Sequence, residues 1–229
     1  TTRPHTRRPA MKESLQLSRA HFPVTALGYG RRLGVWLQGC RLACPGCIAK
    51  DTWDPGGGTT VGVEEVLADV RRAIDAGADG ITVSGGEPLQ QAASLAALLR
   101  GIARLNSARP FDVLVYTGYE WHELDAPQAA AAELADVLVT GRYLAKEPTR
   151  LIWRGSANQK MLLLTPLGRQ RYLPFLDHEP QAPPIQVEAD PDGLVWWVGV
   201  PNNPATKRRL DEAITALGYP ARSVSWRRR

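Results

Sequence analysis

Cysteine is the residue type in this chain with the most restricted chemistry, and it occurs only at Cys40, Cys44 and Cys47. Three thiolates spaced C-x3-C-x2-C can point into one small volume if the backbone wraps around it. Pro45 and Gly46 oppose a continuous helix there, and Gly39 admits close approach of the backbone. An odd number of cysteines packed so tightly excludes an intrachain disulfide framework and points to a reducing, cytoplasmic compartment. Soft thiolates select zinc, copper(I) or iron–sulfur. Structural zinc needs a fourth ligand, and His5, His21, His122 and His178 do not stand at zinc-finger spacing. An iron–sulfur cube usually takes four cysteines, so three leave one iron open to a substrate or cofactor. A zinc site completed by a distant histidine, or three reduced thiols with no metal, remain as the alternatives.

The elements around this loop read as alternating strands and helices. Leu33–Leu37 is a short buried strand leading directly into the cysteines, and Asp54–Gly58 is a turn cluster. Apolar residues recur at spacings of three and four from Val63 to Ala76, which predicts an amphipathic helix stopping near Gly77. Gly80–Ser84, Phe111–Tyr116, Asp136–Thr140 and Met161–Thr165 read as further strands, with helices over Gln90–Leu105 and Pro127–Ala135. The order β-α-β-α-β-α-β-β implies a parallel sheet, because each parallel connection needs a crossover of about a dozen residues. An open doubly wound sheet and a partial barrel both satisfy it, and both place ligands at the carboxyl ends of the strands. The cysteine loop lies on that rim.

Residues 1–20 read as a flexible leader, 21–165 as the core, and 166–229 as a Pro-rich linker followed by a small ββα appendage with a basic tail. The appendage consists of a hairpin, Ile185–Glu188 and Leu194–Val198 around ADPDG, and a helix over Ala205–Leu217. Trp196 and Trp197 read as its core pair, with an aromatic platform for a substrate as the alternative. Composition sets the wider bounds. An apolar content of 44% supports a packed core and argues against wholesale disorder. No apolar run is long enough for a membrane helix, and the N-terminal residues lack a secretory signal. The +5 formal charge resides in residues 1–18 and 207–229, with an acidic body between them. Basic ends on an acidic body indicate solvated tails rather than a nucleic-acid face.

The stretch CRLACPGCIAKDTWD resembles the signature loop of radical S-adenosylmethionine (radical SAM) enzymes, and within them the activating enzymes of glycyl-radical proteins, especially that of anaerobic ribonucleotide reductase. Cys-Pro-Gly-Cys and Asp51-Thr52-Trp53 carry it most closely, and Ser84-Gly85-Gly86-Glu87-Pro88 follows the second strand as that family's GGEP motif does. Tyr116-Thr117-Gly118-Tyr119 and Trp153-Arg154-Gly155-Ser156-Ala157-Asn158-Gln159 resemble the reductase-activase branch. The likeness runs over roughly residues 22–165 and leaves the appendage unexplained. Two departures stand out: Gly46 replaces the aromatic residue many activases carry before the third cysteine, and Ala49 replaces an Asn.

The resemblance implies a partial (β/α) barrel in which Cys40, Cys44 and Cys47 hold a [4Fe-4S] cluster whose fourth iron chelates the amino and carboxylate groups of SAM. One electron then breaks the sulfonium C–S bond, giving methionine and a 5′-deoxyadenosyl radical that abstracts hydrogen. It further implies that Ser84, Gly85, Gly86, Glu87 and Pro88 flank the methionine amine, with Glu87 helping to fix it and Pro88 stiffening the turn. Gly46 and Ile48 would lie near the adenine, and Arg142 would pair with the SAM carboxylate. The implied partners are an electron donor such as flavodoxin or ferredoxin and a glycyl-radical protein. A peptide or small metabolite as the substrate of a tailoring enzyme, and a non-catalytic zinc- or nucleic-acid-binding module, are the competing functions.

Overall fold

The computed structural model describes residues 13–105, 109–189, 195–201, 204–216 and 218. Short runs of aliphatic and β-branched residues form the strands β1 (Ser14–Val24), β2 (Arg32–Leu37), β3 (Thr59–Gly62), β4 (Gly80–Gly85), β5 (Asp112–Tyr116), β6 (Val137–Thr140) and β7 (Lys160–Leu163). They build one seven-stranded sheet in the order β3-β1-β2-β4-β5-β6-β7. Its centre, β2-β4-β5-β6, is parallel. The helices α1 (Val63–Asp75), α2 (Ala92–Ala103) and α3 (Ala126–Ala132) lie between successive strands of that centre, as parallel connections require.

Both edges are antiparallel. On one side β1 runs against β2 and β3, and on the other β7 runs against β6. Residues 14–20, read from sequence as part of the leader, therefore belong to the sheet, and residues 1–12 lie outside the described residues. The alternating apolar and polar residues of β1 mark an edge-proximal strand with one wet face, a weaker signal than the continuous apolar run of β2.

The pleat sorts the core into two faces. Leu33, Val35 and Leu37 of β2, Ile81 and Val83 of β4, Val113 and Val115 of β5 and Leu138 of β6 pack under the three helices. Leu114, Val137 and Val139 point the other way, clustering with Met161 of the neighbouring β7 and with Trp153 and Tyr172. Tyr172 ends α4 (Pro166–Tyr172), so residues assigned from sequence to the linker pack on the sheet. Thr165 caps this helix by accepting from the Gly168 N–H, and Pro166 opens its first turn, where a missing N–H costs nothing.

Farther along, β8 (Ile185–Ala189) and β9 (Val195–Gly199) pair antiparallel, and α5 spans Pro204–Ala216. The ADPDG turn and the basic residues from 219 on fall mostly or wholly outside the described residues. Val198 packs against Val24, Ala26 and Leu27. Trp196 meets the His21 ring edge-on at 4.7 Å, with the Arg19 guanidinium 4.5 Å from its ring centre.

At the amino ends of the parallel strands, away from the cysteines, a buried ion pair ties the sheet together. Arg32 and Asp112 are both fully buried, and Arg32 Nη2 donates to Asp112 Oδ1 at 2.7 Å. Arg32 also donates to Thr82 Oγ1 and to the Ile81 carbonyl, while Arg171 and the Tyr172 hydroxyl of α4 reach the same carboxylate. Each charge is thereby paired and hydrogen-bonded, the condition for keeping it out of water.

Candidate functional site

The cysteine loop leaves the carboxyl end of β2 and is fastened at its base by backbone and side-chain bonds. The Gly39 N–H donates to the Thr52 carbonyl at 2.7 Å, and the Cys40 N–H donates to Trp53 at 3.0 Å, closing the loop as a hoop. Gln38 Nε2 donates to the carbonyls of Asp51 and Asp54, and Gln91 Nε2 donates to the Gln38 carbonyl. Within the hoop the chain turns through left-handed backbone at Gly39, Ala43 and Gly46, with φ of +101°, +49° and +79°. Ala43 carries a side chain in that region, a conformation costing on the order of 1 kcal/mol. The N–H groups of Leu42 and Ala43 face the Cys40 thiol, and the Tyr143 N–H faces the Cys44 thiol.

All three cysteines are free and half-buried on this one loop. Burial is the largest influence on Cys40 and Cys44 and pushes both thiols up, while the N–H donors oppose it by favouring the thiolate. Among the described residues, no three His, Cys, Asp or Glu side chains gather closely enough to grip one metal ion. The donor set suits an iron–sulfur cluster: three soft sulfurs on one wrapped loop, with backbone N–H groups aimed at two of them.

The Ser84–Pro88 turn sits directly behind the hoop. Gly85 pairs with Leu37 across the parallel ladder, the Gly86 N–H donates to the Leu37 carbonyl at 2.8 Å, and the Glu87 N–H donates to Gly39 at 2.9 Å. A Cβ on Gly86 would stand 2.2 Å from the Gly39 carbonyl oxygen. The glycine is thus required by the backbone of the loop it supports, a contact that sequence alone does not reveal.

Glu87 is 1% exposed, and its carboxylate accepts from the Leu89 N–H (2.9 Å), the Thr117 hydroxyl (2.8 Å) and the Gly118 N–H (2.7 Å). It therefore pins the turn containing Pro88 to the end of β5. Burial pushes this carboxyl up to about 7, and the three donors restrain the rise. Ser84, opposite Trp36 in the ladder, and Ile48 are both half-buried, while Gly46 is exposed.

Arg142 follows β6 and reaches the same rim. Its charge lies near Cys44 and Glu87 and favours their anionic forms. Its Nη1 already holds both oxygens of Glu123, at 2.8 and 2.7 Å, and its guanidinium lies 5.7 Å from the centre of the Tyr119 ring. Glu123, Thr117, Gly118 and Tyr143 all meet site residues; Thr117 and Gly118 stand in a stretch that resembles the reductase-activase branch, but none of the four has a role expected from sequence. The signal available was the position of Thr117-Gly118 and Tyr143 just after strands β5 and β6, on the rim where ligands collect.

The family model described as 4Fe-4S single cluster domain matches residues 26–162, which contain the cysteine hoop, the Ser84–Pro88 turn and strands β2 to β6. The chain belongs to this family. It is 35% identical over 145 residues to the anaerobic ribonucleoside-triphosphate reductase-activating protein of Escherichia coli (strain K12), covering 61% of this chain and 93% of that one. The protein of the same name from Salmonella typhimurium is 36% identical over 146 residues, with 61% and 93% covered. That of Enterobacteria phage T4 is 29% identical over 139 residues, with 58% and 85% covered. The resemblance to glycyl-radical activating enzymes is borne out, and with it a radical SAM enzyme whose cofactors are a [4Fe-4S] cluster and SAM. The zinc and nucleic-acid alternatives give way to it. No helix among the described residues is long and apolar enough to cross a membrane.

Proposed function

We propose that this 4Fe-4S family member is the activase of a glycyl-radical protein of the anaerobic ribonucleotide reductase type. The observation that carries this reading is the coincidence, on one strand rim, of the Cys40–Cys47 hoop and the Ser84–Pro88 turn bonded to it, within the segment shared with reductase-activating proteins. Cys40, Cys44 and Cys47 would hold three irons of the cluster, leaving the fourth for SAM. Bound there, the cluster would supply the electron for splitting the sulfonium C–S bond of SAM, chemistry that would serve to take hydrogen from a glycine of the partner.

The chain's own residues bind, orient and exclude water. Ser84, Gly85, Gly86 and Pro88 would line the methionine end of SAM. With the Glu87 carboxylate committed to three protein donors, its part in fixing the amine would be to hold the backbone of this turn. Gly46 and Ile48 would flank the adenine. Arg142 would offer the SAM carboxylate a positive charge whose direction Glu123 sets. A small reduced carrier, a flavodoxin or ferredoxin, would supply the electron, in the reducing cytoplasm that free thiols favour.

The sheet, from Ser14 of β1 to Leu163 of β7, would curve as a partial barrel. The placement of α1, α2 and α3 over a single face supports this. Strands β8 and β9 with α5 would form a ββα appendage within 166–229.

The test is electron paramagnetic resonance after mixing the reduced, SAM-loaded protein with an anaerobic ribonucleotide reductase. The reading expects the doublet of a glycyl radical on the reductase. SAM cleavage without that doublet, together with hydrogen transfer to a peptide or small metabolite, would replace the activase with a tailoring enzyme.

A further inference from the structure

The segment Gly155–Gln159 binds neither the cysteine hoop nor the Ser84–Pro88 turn through any hydrogen bond described above, but it holds the loop that does reach the hoop. Residues 141–147 leave β6 without regular secondary structure, and four of their backbone groups are satisfied from 156–159. Asn158 Nδ2 donates to the Arg142 carbonyl at 2.9 Å and Gln159 Nε2 to the Gly141 carbonyl at 2.8 Å. The Leu144 N–H donates to Ser156 Oγ at 3.1 Å, and the Ala157 N–H to the Glu147 carbonyl at 2.8 Å. Gln159 is itself oriented, because its Oε1 accepts the Gly155 N–H at 2.7 Å.

The held loop presents Tyr143 to the cysteines. Its backbone N–H faces the Cys44 thiol and favours the thiolate there. Its ring fills the space between two glycines: a Cβ at Gly46 would lie 3.4 Å from Tyr143 Cε1, and one at Gly155 would lie 3.1 Å from Cδ2. We infer that Tyr143 is a positioning residue for the cluster ligands Cys44 and Cys47, shielding that side of the hoop, and that Ser156, Asn158 and Gln159 act through it. This rests on the cluster assignment of the proposed function. Hydrogen bonds to the sulfurs and exclusion of solvent both set the potential of an iron–sulfur cluster, so the ring and the N–H have a measurable consequence beyond stability.

The experiment reconstitutes the full chain anaerobically with iron and sulfide and compares Tyr143→Phe, Tyr143→Ala and Gln159→Ala with the unaltered protein. At matched iron content, the midpoint potential and the lifetime of the cluster against a chelator are read. Tyr143→Phe keeps the ring and retains both values. Tyr143→Ala admits water, which favours the more negative reduced cluster, so its potential becomes more positive and its cluster is lost several-fold faster. Gln159→Ala shifts both in the same direction with the ring intact, and it carries the test should Tyr143→Ala fail to fold. Unchanged potential and lifetime in Tyr143→Ala, or equal impairment in Tyr143→Phe, would overturn the inference while leaving a normal cluster in the unaltered protein. Failure of the unaltered protein to take up any cluster would instead overturn the functional reading, and the inference with it.

Discussion

At Gly86 a single methyl group decides whether the cysteine hoop can rest on the end of β4. A Cβ there would meet the Gly39 carbonyl at 2.2 Å, and that atom is backbone that cannot swing aside. Gly86→Ala should therefore lower stability by about 1–3 kcal/mol, as overpacking does, and should also lower iron uptake at matched protein concentration. A variant that loads iron normally would refute the contact. Glu87 makes a pH-dependent contribution. Its folded carboxyl is raised to about 7 from an ordinary 4.5, so the folded chain keeps a proton that the unfolded chain releases. Its contribution to stability is complete below the unfolded value and is lost as pH rises through about 7. Thermal melts should show Glu87→Gln flattening the fall in melting temperature over that window, and an unaltered slope would point to another group. The cysteines were legible in sequence because thiols at that spacing have few other uses. The tie from Glu87 to Thr117 and Gly118 was not, because it joins residues about thirty positions apart.

Among the elements, α4 and the strand starts of β2 and β5 depend on one another through Asp112. This carboxylate receives Arg32, Arg171 and the Tyr172 hydroxyl, so removing it leaves the fully buried Arg32 without its counter-charge. Asp112→Ala should cost about 3–5 kcal/mol, a melting-temperature drop of roughly 6–20 °C for a chain of this size. Because the pair lies at the opposite rim, iron uptake at low temperature should survive; a stable variant, or one folded but unable to bind iron, would contradict this. The parallel centre was readable because β2, β4, β5 and β6 are nearly continuous apolar runs and α1 keeps a clean helical period. The edges were not. β3 is only four residues long, β1 alternates in polarity, and α4 is two turns whose anchor, Asp112, lies about sixty positions earlier.

Over the whole molecule, the sheet separates two tasks: a buried ion pair fastens the amino ends of its strands, and glycine-rich loops gather at the carboxyl ends. Cluster and SAM should then be linked to global stability in order. SAM at a hundredfold excess over its dissociation constant should stabilise the cluster-loaded protein by about 2.7 kcal/mol, and the cluster-free protein by far less, because on the proposed reading the open iron would be its principal anchor. Calorimetry with equal shifts in the two forms would separate SAM binding from the cluster. The central claim is that Cys40, Cys44 and Cys47 hold a cluster at which SAM is cleaved, and 5′-deoxyadenosine measures it most directly. Reduced anaerobically with SAM, the reconstituted protein should release 5′-deoxyadenosine and contain about four irons, whereas Cys44→Ala should remain folded and do neither. Cleavage retained by Cys44→Ala, or a colourless unaltered protein loaded with zinc, would contradict the account.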